Sequence, residues 1–252
     1  MLILACDTSN LACSACLYED GRVLAQSLLS LGLTHSLTFM PLVHELMKTS
    51  GREYADLDAF ACTVGPGSFT GIRIGVSAVK AMAMAAEKPA VAVSSLAALA
   101  YPFFSHDKTL VVAMTDARNR RVFSAAYFEG REVISENART VDELMDLCRT
   151  WEDVNRLSGV NIFLCGDVSD VYAEEGYFLQ RNSRTALLFG REVQPASVAA
   201  LAFVTVHEEE NLMDKYPPQA LMPVYRAKTS AERMFPKGEH QVIQGEGDGG
   251  HV

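Results

Sequence analysis

The chain runs through one order of elements twice, and that repetition restricts it to a duplicated α/β architecture. Apolar and β-branched runs at Leu2 to Thr8, Ala12 to Tyr18 and Arg22 to Leu29, with Asp20-Gly21 between the last two, predict an antiparallel meander. Helical periodicity follows from about Ser36 to Ser50, with Leu37, Met40, Val43 and Met47 on one stripe and Gly51 as the stop. Asp58 to Val64 reads as a strand, about Phe69 to Glu87 as a long helix, Pro89 to Ser94 as a short buried strand, and Ser95 opens another helix. The order then starts again. Leu110 to Thr115, Val122 to Phe128 and Glu132 to Ser135 form a second meander, with Glu129-Gly130 as its turn. A helix from about Val141 to Arg156, a strand from Asn161 to Cys165 and a Pro-initiated helix from Pro195 to Glu210 complete it. The break near Ser105 to Lys108 divides an N-terminal lobe, 1–104, from a C-terminal lobe, 105–235. Residues 236–252 are Gly-rich, acidic and without apolar periodicity, which predicts a disordered tail.

A chain of 252 residues with 49% apolar content can bury the cores of two modest domains. No apolar run reaches the roughly 18 residues that span a bilayer. No basic segment precedes Leu2-Ile3-Leu4 and no cleavage-type motif follows, so a cytoplasmic location is the expectation. Net charge is −9, against the basic face that nucleic acids need. Arg118, Arg120 and Arg121 form one small, isolated cluster, so the chain is not expected to grip nucleic acid alone. Cys6, Cys13, Cys16, Cys62, Cys148 and Cys165 sit mostly in apolar runs and read as small core hydrophobes. Cys13 and Cys16 have C-x-x-C spacing, but in a strand they point to opposite faces and no second pair completes a metal site.

Two motifs invite a functional reading. Asp7-Thr8-Ser9 follows the first strand; it suits either a phosphate-cradling loop or a turn in which Asp7 bonds its own backbone. The block Gly65-Pro66-Gly67-Ser68-Phe69-Thr70-Gly71-Ile72-Arg73-Ile74-Gly75 makes a rigid corner into a helix, which Ser68 or Thr70 can cap. Its amides suit an anion, though it lacks the Lys of a Walker loop. Within that helix Gly71, Gly75, Ala78 and Met82 form a narrow seam with small residues at its start. A helical glycine costs about 1 kcal/mol against alanine, so two of them one turn apart imply close approach of another backbone, either of this chain or of a partner. Leu37, Met40, Val43 and Met47 offer a second apolar face to the same partner. On the partner reading, Gly75→Leu leaves the chain folded and weakens association. No nucleophile–base pair and no helical His-x-x-x-His is present.

Leu4-Ala5-Cys6-Asp7-Thr8-Ser9, His35-Ser36, the Gly65–Gly75 block and Val93-Ser94-Ser95-Leu96 together resemble the TsaB (YeaZ-like) family, subunits of the bacterial tRNA threonylcarbamoyladenosine (t6A) complex and paralogues of TsaD. Asp116-Ala117-Arg118 and Pro223-Val224-Tyr225-Arg226 extend the likeness more loosely. The resemblance implies the duplicated, two-lobed actin/sugar-kinase/Hsp70 (ASKHA) ATPase fold. In the ATPases of that superfamily the acidic residue at the first strand's end organises metal and nucleotide. Asp7, Thr8, Ser9, Gly65, Gly67 and Ser68 would here be a vestige of that loop. The resemblance further implies a TsaD-like catalytic partner and a TsaE-like ATPase as third subunit; the apolar helical surface, left exposed when the partner is absent, would favour a homodimer. Where TsaD carries its metal-binding His pair, this chain has Ser95 and Leu99. The implied role is therefore a non-catalytic scaffold with no intrinsic cofactor, ATP and metal belonging to the partners. The alternative is an ASKHA-type ATPase or an M22 glycoprotease-like enzyme.

Overall fold

The computed structural model describes residues 1–32, 34–157, 160–167, 185–187 and 192–226. The first meander is β1 (Leu2–Asp7), β2 (Cys13–Glu19) and β3 (Arg22–Leu29). Helix α1 (His35–Ser50), β4 (Ala59–Gly65), α2 (Phe69–Ala85), β5 (Ala90–Ser94) and α3 (Ser95–Ala100) follow. The second pass gives β6 (Thr109–Asp116), β7 (Val122–Phe128), β8 (Arg131–Arg139), α4 (Val141–Val154), β9 (Asn161–Cys165) and β10 (Thr185–Leu187). Helices α5 (Pro195–Val206) and α6 (Leu212–Lys215) close it.

The strand order is β3-β2-β1-β4-β5 in one sheet and β8-β7-β6-β9-β10 in the other, the same order built twice. In each, an antiparallel meander continues into parallel pairing, β1 with β4 and β6 with β9. This is the duplicated ASKHA architecture.

Both faces of each sheet are covered, which explains why the central strands read as unbroken apolar runs. Leu2, Leu4 and Cys6 point toward α1 and α2, while Ile3 and Ala5 point the other way. Val111 and Ala113 of β6 meet them in a core shared by the two sheets, together with α3 and α5. Leu110, Val112 and Met114 face α4 instead.

Two local features differ from the periodicity. The buried face of α1 is Phe39, Leu42, Val43, Leu46 and Met47. The stripe through Leu37 and Met40 starts off that face and runs onto it, so Leu37 is 72% and Met40 43% exposed while Val43 and Met47 lie in the core. A stripe that mixes steps of three and four from one starting residue admits two phases, and only packing selects between them. The second feature is topological. Helix α5 comes from the 105–235 half but lies against the first sheet, and Leu221 is buried in the first core. The first lobe is therefore not contiguous in sequence. The tail expected at 236–252 lies outside the described residues.

Candidate functional site

Strand β1 ends in a closed polar knot. Asp7, Thr8 and Ser9 are fully buried. Asp7 Oδ1 accepts from the Ser9 amide at 3.1 Å, the Ser9 hydroxyl at 2.6 Å and the Thr63 hydroxyl at 2.5 Å. Thr63 comes from β4, which pairs in parallel with β1. Asp7 Oδ2 is buried and unpartnered. Burial raises the Asp7 carboxyl above its ordinary value, and the three hydrogen bonds oppose the shift without cancelling it.

The glycines of the Gly65–Gly75 block make this closure possible. A Cβ on Gly67 would stand 2.3 Å from the Ser9 carbonyl, one on Gly71 2.1 Å from the Thr8 carbonyl, and one on Gly75 2.2 Å from Thr8 Oγ1. At such distances a side chain fits only if its neighbour shifts, and at Gly67 and Gly71 that neighbour is backbone, so α2 lies directly on the β1 corner. Thr8 Oγ1 donates to the Gly71 carbonyl at 2.8 Å, and the Ser68 amide to the Ser9 carbonyl at 2.7 Å. The close approach inferred for Gly71 and Gly75 is thus within this chain, not to a partner's helix, and a leucine at 75 has no space in the folded chain. Ala78 and Met82 are half-buried beside the first core, on the same helix.

The anion-binding reading of the corner meets the same closure. Ser68 caps α2, accepting from the Gly71 amide at 3.2 Å, and Gly65-Pro66 is a cis peptide. Of the expected loop residues, Asp7, Thr8 and Ser9 are sealed beneath α2, while Gly67 and Ser68 border an open cleft. That cleft has a volume of about 890 Å³ and lies between the two passes of the chain, with Asn10, His35 and Phe69 from the first and Asp116, Arg118 and Asp167 from the second. His35 Nε2 donates to the Asn10 carbonyl at 2.7 Å, fixing its rim.

One cleft wall is formed by residues that the motifs did not single out for a role. Phe69 and Tyr225 pack with centroids 5.0 Å apart and their planes tilted by 33°, and the Arg73 guanidinium lies 4.2 Å above the Phe69 ring while its Nε donates to Tyr225 Oη at 2.8 Å. Thr63 has a signal in hindsight, as the lone hydroxyl in the apolar run Phe60-Ala61-Cys62-Thr63-Val64. The Tyr225 contact spans 152 positions and leaves no local trace.

Ser95 and Leu99 are both buried in the α3 region, Leu99 in the core between the sheets. Among the described residues no group of three or more His, Cys, Asp or Glu side chains is arranged to hold a metal. The six cysteines are buried and unpaired, and burial pushes Cys13 up to about 11 and Cys16 to about 12, far from thiolate reactivity. Arg118 and Arg120 stand exposed in a turn with left-handed backbone, and Arg121 is spent on the Ala138 carbonyl. Among the described residues, no helix is long and apolar enough to cross a membrane.

Comparison with known proteins agrees with this geometry. The family model described as TsaD, tRNA N6-adenosine threonylcarbamoyltransferase, matches residues 31–214. The tRNA threonylcarbamoyladenosine biosynthesis protein TsaB of Bacillus subtilis is 38% identical over 213 residues, covering 80% of this chain and 92% of that protein. TsaB of Escherichia coli is 40% identical over 128 residues, a match that spans 50% of this chain and 55% of the relative. The solved structure of YeaZ from Pseudomonas aeruginosa superposes with a TM-score of 0.70 at 26% identity, covering 89% of this chain and 99% of that one. A duplicated fold, a glycine block packed on the first strand's end, a family model over most of the chain and a relative matched along nearly its full length together place this chain in the TsaD/TsaB family, among the TsaB proteins.

Proposed function

We propose that the chain is a non-catalytic scaffold subunit in t6A biosynthesis, the addition of a threonylcarbamoyl group to adenosine 37 of ANN-decoding tRNAs. It acts by holding a TsaD-like catalytic subunit in the cytoplasm, with a TsaE-like ATPase as a further partner and tRNA reached only through the complex. The names of its relatives support the pathway. The observation that carries the scaffold reading is the outer face of α1, where Leu37 and Met40 stand in solvent at the helix's start. Apolar side chains displayed on the side of α1 away from its core suit a partner's helical surface or, in its absence, a second copy. Ala78 and Met82 extend that surface onto α2, while Val43, Met47, Gly71 and Gly75 support it from beneath. The sealing of Asp7, Thr8 and Ser9 supports the lack of a catalytic role.

The test is calorimetric titration of the purified chain with a TsaD-like subunit. Leu37→Glu with Met40→Glu should change folding stability by no more than about 0.5 kcal/mol, because both side chains are exposed. The same pair should weaken association at least about tenfold. Unchanged affinity would reject this surface. The rival ATPase reading rests on the open cleft, whose volume suits a nucleotide. Low-micromolar ATP binding to the isolated chain, lost in Arg118→Ala, would favour it.

A further inference from the structure

The last described residues form a strap across α2. Leu221 is buried in the first core, and Lys80 Nζ donates to the Gln219 carbonyl at 2.6 Å. The Val224 amide donates to the Val64 carbonyl at 2.8 Å, and Gly65 lacks a Cβ where Val224 O would meet it at 2.7 Å. Tyr225 then packs on Phe69 and accepts from Arg73, both on α2. The guanidinium of Arg226, the next residue, reaches Glu136 Oε2 on β8 at 3.3 Å.

Glu136 is the unusual member. Its side chain is only 9% exposed, and its other oxygen, Oε1, accepts from the Ser94 hydroxyl. Ser94 in turn caps α3, accepting from the Ala97 amide at 3.1 Å. One carboxylate on the second sheet thus holds the β5–α3 corner of the first lobe with one oxygen and the strap with the other. A carboxylate this buried is costly unless both partners are present, so the two attachments support each other.

We infer that Glu136 is the clasp of the strap: it fastens Arg226 across the two lobes, and the fastened strap holds α2 in place through Tyr225. This concerns the chain by itself and does not depend on the scaffold reading. Hydrogen exchange on the full chain tests it. Glu136→Ala and Arg226→Met should each speed exchange at residues 221–226, including the Val224 amide, by about tenfold or more, and should reach the Arg73 turn of α2. Residues 141–154, which pack in a separate core, should keep their rates. The double variant should exchange no faster at the strap than Glu136→Ala alone. Glu136→Gln keeps an oxygen for Ser94 but loses the charge, so it should free the strap and spare the Ala97 amide. Wild-type rates at 221–226 in both Glu136→Ala and Arg226→Met would overturn the inference. If Glu136→Ala does not fold, Arg226→Met decides, because Arg226 is 44% exposed and its loss leaves the cores intact.

Discussion

The ends of β1 and β6 are the same turn under different cover. Ser9 donates its amide to Asp7 Oδ1 two residues back, and Arg118 donates its amide to Asp116 Oδ1 two residues back, at 2.6 Å. A glycine of positive φ also marks the end of the neighbouring strand in both sheets, Gly65 at 118° closing β4 and Gly166 at 122° directly after β9. Asp7 nevertheless lies fully buried with a second hydroxyl from Thr63, while Asp116 stands exposed on the cleft. What differs is the cover. Gly67, Gly71 and Gly75 let α2 descend onto the Asp7 corner. A local turn therefore does not decide whether its aspartate is a structural knot or an open rim; the element packed over it does.

The largest effect should come from the cover itself. Gly71→Ala sets a methyl against the Thr8 carbonyl, which cannot rotate away, and should cost about 3 kcal/mol in urea denaturation. A neutral or stabilising result would mean that α2 does not rest on the knot, and the comparison fails. Gly75→Ala meets a side-chain hydroxyl instead, so it should cost less, and Thr8→Ala should relieve it. The double variant should be more stable than the sum of the singles by about 1 kcal/mol.

Next comes the contrast between the aspartates. Asp7→Ala strands the Ser9 and Thr63 hydroxyls in the interior and should cost about 2–3 kcal/mol. Asp116→Ala loses one bond at the surface and should stay within about 0.5 kcal/mol. Equal losses would show that the turn, not its burial, sets the energetics.

The smallest effect sharpens the comparison through pH. Burial raises Asp7 above 3.8, so the folded chain holds that proton more tightly than the unfolded chain does. The resulting stability is complete below the unfolded value and declines as pH rises through the folded one. Relative to Asp7→Asn, the wild type should therefore lose stability between about pH 4 and pH 7, read from urea midpoints at the two values. A wild type that gains on the variant as pH rises would mean that the hydrogen bonds outweigh burial.

Much of the architecture lay open in the chain, because strand and helix periodicities and their repetition are local properties. The apolar runs of β1, β4 and β6 marked them as strands, and the start of α2 was legible with Ser68 or Thr70 as its cap, of which Ser68 is the one that caps it. The Asp7-Thr8-Ser9 and Gly65–Gly75 motifs were legible as a pair of features in need of a reason. The reason was not legible, because glycine spacing states that something comes close without stating what. Leu37, Met40, Val43 and Met47 were read as one apolar face of α1, and only packing against β2 showed that Val43 and Met47 join Phe39 and Leu42 in the core while Leu37 and Met40 stay outside it. The return of α5 and the strap to the first lobe, and the meeting of Ser94, Glu136 and Arg226, join residues far apart in the chain, as Arg73 and Tyr225 are across 152 positions. Sequence determined the elements, their duplication and the need for close packing at Gly71 and Gly75. Tertiary structure alone decided which surface each motif meets, since burial and charge pairing depend on neighbours that the chain brings together only when it is folded.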